Sequence, residues 1–293
     1  MWDMKKILVL GGTRFFGKKL VERLILAGHE VTIVTRGKSE VPFESQVTHI
    51  KVNRLDEDAF RGALEGQWDL VYDNICYSPN EAKVLCDILK GKTKKLIFTS
   101  TLSTYEIDGR VKKEEDFDPF HYDIKMGDQK DFSYGEGKRQ AEAVFFKYAS
   151  FPVVAVRFPI VMGEDDYTRR LHFHTEKVKK GEGMAFINLD AKMSFILADE
   201  AAEFLEWAGF SDIEGPFNAT AKGSISLRDL LSLVEQATGK QAIITLEEDD
   251  TVEKSPYAIP NDWYMTSEKA EKAGFEFSEL SSWLPGLVEK IAK

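Results

Sequence analysis

Short apolar runs alternate, through the first half of the chain, with longer stretches in which apolar positions recur every three or four residues. Runs of this kind, bounded by glycine or polar residues, read as strands buried on both faces, and the longer stretches as helices packed on them. The pattern predicts strands over 6–10, 30–35, 47–52, 69–73 and 95–99, and helices over 15–27, 56–64 and 79–89. Gly28 stops the first of these helices. Such alternation implies right-handed crossovers and an α/β fold built on a doubly wound parallel sheet.

From 107 to 131 the rhythm fails. The stretch is polar and acidic (EEDFDPF) and reads as a loop beside the site. A helix over 133–149 and a strand over 152–157 resume the pattern. Beyond Gly163 it becomes irregular, with helices over 169–180 and 199–209 and short strands near 184–188 and 193–197. Ser226-Leu-Arg-Asp opens a further helix with a start like a capping box, and 280–292 closes the chain helically. The expected organisation is a dinucleotide-binding lobe over 1–160 and a smaller substrate lobe over 161–293 that lends elements back to the first.

The first strand runs into Gly11-Gly12-Thr13-Arg14-Phe15-Phe16-Gly17 and then into a helix. A glycine turn at this junction lets backbone N–H groups approach a pyrophosphate, assisted by the helix dipole. The plainer reading is a tight turn, but strand, turn and helix are all in place around the motif. Arg14 occupies a position where a middle glycine is usual, and its side chain is expected to emerge near the adenosine ribose. The second strand ends Val34-Thr35-Arg36 with no acid to accept from both ribose hydroxyls. Arg14 and Arg36 therefore favour NADP(H), whose 2′-phosphate suits arginine, over NAD(H); the alternative is a pair of solvated surface arginines.

Ser-Tyr-Gly-Glu-Gly-Lys over 133–138 sets Tyr134 and Lys138 on one face at the start of a helix. An ammonium beside a phenol favours the phenolate, which makes such a tyrosine a general acid or base near neutrality. Upstream, Phe98-Thr-Ser-Thr-Leu-Ser-Thr-Tyr105 leaves a parallel strand at its carboxyl end, where ligands of such sheets bind. A hydroxyl from this run is placed to hold a substrate oxygen. Tyr-x3-Lys recurs by chance; its weight here comes from the order of glycine loop, hydroxyl-rich strand end and tyrosine-lysine helix.

Composition narrows the partners. The 293 residues carry a formal net charge of -10, which argues against a broad nucleic-acid footprint. No apolar run approaches the roughly 18 residues of a membrane span. Ile7 to Leu10 is too short for a signal-peptide core, so the expected location is cytoplasmic. Cys76 and Cys86 match neither a zinc spacing nor a redox pair and are expected to be buried small hydrophobes.

On these motifs the chain resembles the short-chain dehydrogenase/reductases in their extended, NAD-dependent epimerase/dehydratase branch, with a Rossmann-like sheet. The resemblance implies that Tyr134 and Lys138 catalyse. It places the third catalytic member, a Ser or Thr four residues before a tyrosine, at Thr101, with Ser100 as its nearest competitor. The family's acid against adenine falls on Asn53, followed by Arg54. GGTRFFG, DLVYDNICY (69–77) and GEDDYTRRLHF (163–173) are similar to a subgroup that includes chloroplast stem-loop RNA-binding proteins and bacterial relatives. Arginine at the position of Arg14 is that subgroup's signature. The implied function is an NAD(P)-dependent epimerase, dehydratase or reductase on a sugar-like or small carbonyl/hydroxyl substrate, with a homodimer as the assembly. RNA or partner binding on the same fold is the alternative. The arginine with which nucleotide-sugar epimerases grip a diphosphate is matched by Met193, leaving Arg169, Arg170 or Lys192 as substitutes.

Other features point less far. His172 and His174 lie two apart on a helix and point away from each other, so no metal site is expected. Glu247 to Asp250 reads as a solvated loop, and Phe145-Phe146 as core or a helix-pairing face. Trp263 and Tyr264 suit either a substrate pocket or the core.

Overall fold

A computed structural model describes residues 3–246 and 252–293. The expected acidic loop at Glu247 to Asp250 lies outside the described residues. In chain order the elements are β1 (Lys6–Leu10), α1 (Phe15–Leu26), β2 (Glu30–Thr35), β3 (Thr48–Lys51), α2 (Glu57–Ala63), β4 (Leu70–Asp73), α3 (Pro79–Leu89), β5 (Leu96–Thr101), α4 (Tyr134–Tyr148), β6 (Val153–Phe158), β7 (Ile160–Met162), α5 (Arg170–Lys180), β8 (Gly183–Ala185), β9 (Lys192–Met193), β10 (Phe195–Leu197), α6 (Ala198–Phe210), β11 (Gly215–Asn218), β12 (Ile225–Ser226), α7 (Leu227–Thr238), β13 (Ile243–Thr245), α8 (Glu268–Lys272) and α9 (Leu280–Ile291).

The main sheet has seven parallel strands in the order β11-β6-β5-β4-β1-β2-β3. Successive residues of a strand point to opposite faces, and β1 shows it. Ile7 and Val9 pack with α1 and α6, whereas Leu8 and Leu10 pack with residues of α2, α3 and α4. The sheet is thus covered on both sides, which is why its strands are apolar throughout rather than alternating. Strand order reverses at β1, whose neighbours are β2 on one side and β4 on the other. In open α/β sheets such a switch point, at the carboxyl ends of the strands, is the crevice where ligands bind.

β5 continues past the expected end at 99 because Ser100 and Thr101 pair with Arg157 and Phe158 of β6. β7, β11, β12, β13 and α8 have no counterpart in the expected pattern. β11 reads GPFN, which as sequence signals a turn. It sits at the sheet edge, pairing with β6, where a proline is tolerated because one side of the strand needs no ladder donor. The Pro216 carbonyl accepts from Lys269 Nζ at 2.6 Å, tying α8 to this edge. The seven-stranded sheet therefore draws β11, and α6 beneath it, from the far side of residue 160. A separate apolar cluster gathers α5, α7, α9 and the short strand pairs β12–β9 and β13–β8.

His174 lies inside this second cluster, stacked on Tyr257 with centroids 4.7 Å apart. Its Nε2 meets Ser255 Oγ and its Nδ1 the Arg170 carbonyl, both at 2.7 Å. Burial lowers its pKa to about 4 against an ordinary 6.5. The unfolded chain takes up this proton first, so stability is full above pH 6.5 and falls as pH drops from there toward 4. The loss attributable to His174 by pH 4 is about 3 kcal/mol. Urea unfolding at neutral pH and at pH 4 checks this: His174→Phe should show a drop smaller by about that amount.

Candidate active site

The glycine loop sits at the switch point. Gly11 has φ +84°, and a Cβ there would strike the Ile75 side chain that follows β4. A Cβ on Gly17 would lie 2.5 Å from the Gly11 carbonyl oxygen, so α1 leaves the loop at a separation only glycine permits. Arg14 is the residue before α1 and makes no side-chain cap. Asp56, Ser78, Ser133 and Ser226, by contrast, accept from backbone N–H groups at the starts of α2, α3, α4 and α7. The first turn of α1 therefore presents backbone donors without a side-chain acceptor from its cap, the arrangement that receives an anion. Phe15 itself holds φ +49°, a strained value for an aromatic residue. Phe16 packs inward on Phe158, with centroids 5.8 Å apart.

Arg14 is exposed and turns along the loop after β2, its Nε donating to Ser39 Oγ at 3.1 Å. Tyr167, from the segment between β7 and α5, meets Phe15 edge-on at 6.3 Å and lies 5.9 Å from the Arg14 guanidinium. Arg36 is exposed at the end of β2, and Thr13 is half-buried in the loop.

At the corner beyond β3, Asn53 is exposed, but the Arg54 side chain is not. Its guanidinium binds both Asp73 oxygens, at 2.8 and 3.0 Å, and its Nε lies 3.0 Å from Glu81. Burial opposes its charge, and the facing carboxylates outweigh that and hold its pKa above the ordinary range. The side chain is thus committed to the protein interior.

Each hydroxyl of the β5 run has a distinct partner. Thr99 donates to Asn74 Oδ1 at 2.6 Å, and Ser100 donates to Glu142 in a short bond. Thr101 Oγ1 accepts from the Ser103 amide at 3.1 Å, which leaves its own proton to be donated. Ser100 is turned away and bound; Thr101 stands at the strand's end.

α4 is pressed against this region through two glycines. A Cβ on Gly137 would lie 2.5 Å from the Tyr77 carbonyl oxygen, and one on Gly135 would strike the Ser103 carbonyl. That close approach carries Lys138 into the sheet, where it is 1% exposed. Its Nζ donates to the Cys76 and Thr99 carbonyls at 2.7 and 2.8 Å. Tyr134, at the first position of the helix, is 54% exposed, and its ring stands 6.4 Å from that of Tyr77. The fold brings Tyr134, Lys138, the end of β5 and the loop after β4 to one place. Tyr77 is the residue that sequence reasoning passed over: DLVYDNICY was used as a subgroup signature rather than for its last tyrosine.

In the second cluster Met193 is 1% exposed, among apolar side chains. Arg169 is paired with Glu176, and Lys192 is exposed. The Trp263 ring bridges that cluster and a smaller one containing Leu102 and Tyr105. Phe145 is core, and Phe146 packs on Phe120 at 4.6 Å. Cys76 and Cys86 are buried and unbridged; burial raises both thiols, that of Cys86 to about 12. Among the described residues no cluster of three or more His, Cys, Asp or Glu is placed to hold a metal, and no helix is long and apolar enough to cross a membrane.

Comparison with known proteins agrees with this construction. The chloroplast stem-loop binding protein of 41 kDa b from Arabidopsis thaliana is 34% identical over 115 residues, covering 34% of this chain and 30% of the plant protein. The chain therefore spans less than a third of that relative's length in the match. The UDP-N-acetylglucosamine 4-epimerase from Methanobrevibacter ruminantium M1 superposes over 99% of this chain and 98% of its own, with a TM-score of 0.76 at 18% identity. The UDP-glucose 4-epimerase from Thermus thermophilus, solved in complex with NAD, superposes over 98% of both chains, with a TM-score of 0.73 at 17% identity. These likenesses establish the Rossmann-like fold over the whole chain. The model of the "NAD dependent epimerase/dehydratase family" matches residues 7–78, the segment that carries the glycine loop and the switch point. The loop, the fold and the matched segment thus agree: the chain carries a glycine loop and switch point similar to those of that family's model, on a Rossmann-like fold.

Proposed function

We propose that this chain is a nicotinamide-dinucleotide-dependent oxidoreductase of the epimerase/dehydratase type, acting on a sugar-like or small hydroxyl or carbonyl compound. The observation that carries the reading is that α4 brings Tyr134 and Lys138 against the end of β5 that carries Thr101, at the same carboxyl edge of the sheet as the glycine loop. The loop fits a dinucleotide, since its glycines permit the close helix and the uncapped first turn of α1 suits a pyrophosphate. Asn53 and the main chain of Arg54 would border the adenine.

A bound nicotinamide would supply the hydride exchange. The chain's own residues handle the rest. Thr101 would hold the substrate oxygen by donating a hydrogen bond from its hydroxyl. Tyr134 takes or gives the proton on that oxygen as the carbon is oxidised or reduced. Lys138, held by two main-chain carbonyls, would supply the positive charge beside the phenol and border the nicotinamide ribose. With Met193 buried in place of an arginine, gripping a diphosphate falls to Arg169, Arg170 or Lys192.

NADP(H) is the favoured cofactor, with NAD(H) second, because Arg14 lies along the loop after β2 against Ser39 and Arg36 is exposed at the end of β2. Calorimetry with both dinucleotides tests this. NADP(H) should bind at least tenfold more tightly, and Arg14→Ala should remove most of that margin, on the order of 1–2 kcal/mol. Equal affinities in the parent contradict the preference, and binding of neither contradicts the oxidoreductase itself.

RNA binding is the second reading, supported by the likeness to the plant stem-loop binding protein. The net charge of -10 weighs against it. Salt-sensitive RNA binding without dinucleotide binding would favour it.

A further inference from the structure

Lys138 is a buried ammonium whose surroundings are more specific than a tyrosine-lysine spacing requires. Two carbonyls take its hydrogens, and the rings of Tyr77 and Phe98 each lie 4.7 Å from Nζ. A cation desolvated against ring faces is attracted by the ring quadrupoles. The two rings differ in what lies behind them. Phe98 is a β5 core residue packed on Phe145 at 4.9 Å. Tyr77 is half-buried at the crevice, and its other neighbour is the Tyr134 ring at 6.4 Å.

Tyr77 is also held in place independently of its hydroxyl. Its amide donates to Glu81 Oε2 at 3.4 Å, within the Arg54–Asp73–Glu81 group. Its carbonyl abuts Gly137, and the preceding carbonyl, of Cys76, is a Lys138 acceptor. A single two-residue segment thus touches the lysine through both main chain and ring. Burial raises the Tyr77 phenol above the ordinary range, and the charges of Tyr134, Tyr167, Asp73 and Glu81 act the same way.

We propose that Tyr77 is a positioning residue for the Tyr134–Lys138 pair: its ring closes the crevice side of the ammonium, keeps water from it and sets the lysine's charge beside the tyrosine. The proposal rests on the oxidoreductase reading, but the shielding itself is a property of the chain alone. The ring does the work and the hydroxyl is dispensable. The charged and titratable groups around the pair include Tyr167 from the segment before α5, Asp73 and Glu81 beneath Tyr77, Arg54 between those two, and the buried Cys76 thiol.

The test is the rate at which Lys138 is acetylated by an amine-directed reagent, followed by peptide mass spectrometry on the full chain. Buried Lys95 and Lys112 serve as internal references. In Tyr77→Phe the Lys138 rate should stay within about twofold of the parent, whereas in Tyr77→Leu it should rise roughly tenfold or more while the references hold, the scale of a lost cation–π contact. Where turnover is measured, Tyr77→Leu should lower kcat by roughly tenfold, leave KM within twofold and shift the pH–rate profile, and Tyr77→Phe should restore all three. A Lys138 rate unchanged in Tyr77→Leu overturns the proposal. So does acceleration of all three lysines together, which would mark the ring as ordinary packing. Absence of turnover in the parent with the labelling pattern intact would count against the oxidoreductase reading and leave the shielding established.

Discussion

Tyr134→Phe is expected to lower kcat by roughly 10²- to 10⁴-fold, the range for removing a positioned general acid or base. Only the phenol oxygen is lost. Because the ring is 54% exposed and the helix cap is made by Ser133, folding stability should not change measurably. Dinucleotide affinity should stay within about twofold, since the proposed pyrophosphate site is the start of α1 and the lysine is held by main-chain carbonyls rather than by the phenol. Steady-state kinetics beside calorimetry and urea unfolding separate the three quantities. A fall in kcat matched by lost stability would make Tyr134 a structural residue.

Arg157→Ala is expected to cost about 3–5 kcal/mol of stability, the penalty for leaving a buried charge unpaired. Arg157 is fully buried. Its guanidinium binds Glu142 at 2.6 Å, the Tyr105 hydroxyl at 2.8 Å, and the Glu114 and Phe117 carbonyls at 3.0 and 3.1 Å. The network ties β6 and α4 to the loop that follows β5, and through Glu142 it holds Ser100 away from the crevice. Truncating the arginine alone strands a carboxylate, whereas Arg157→Met with Glu142→Leu removes both charges and should cost far less. Urea midpoints of the two variants decide between a paired buried charge and mere volume. Equal losses would mean that packing, not pairing, is what the arginine contributes.

How far the residues themselves disclose this molecule differs from place to place. The strands on either side of Gly11 were legible because apolar runs ending in glycine have few other readings. Gly215-Pro-Phe-Asn was not legible as a strand: its turn-like composition is overridden by a long-range partner, β6, and local pattern carries no trace of a partner some sixty residues away. At the candidate site, Tyr134 and Lys138 stand out by their spacing, but the lysine's acceptors are main-chain carbonyls, which leave no mark in a sequence. Arg54 shows the converse. Its position beyond β3 suggests contact with a nucleotide, while its side chain turns to Asp73 nineteen residues on, an ion pair that no periodicity announces. Thr101 and Ser100 could be ranked only through the distant Glu142. Glycines 135 and 137 were passed over as spacers within a motif, although they set how closely the tyrosine-lysine helix meets Ser103 and Tyr77.

The central claim is that the glycine loop and the Tyr134–Lys138 pair serve one reaction. A single-turnover experiment tests it most directly: the chain is loaded with the oxidised dinucleotide, sugars and small hydroxyl compounds are added in turn, and nicotinamide absorbance is followed. At least one such compound should reduce the bound nicotinamide in the parent, and do so at least a hundredfold more slowly in Tyr134→Phe. Reduction that proceeds equally fast without the Tyr134 hydroxyl, or a loaded chain that no hydroxyl compound reduces, would contradict it.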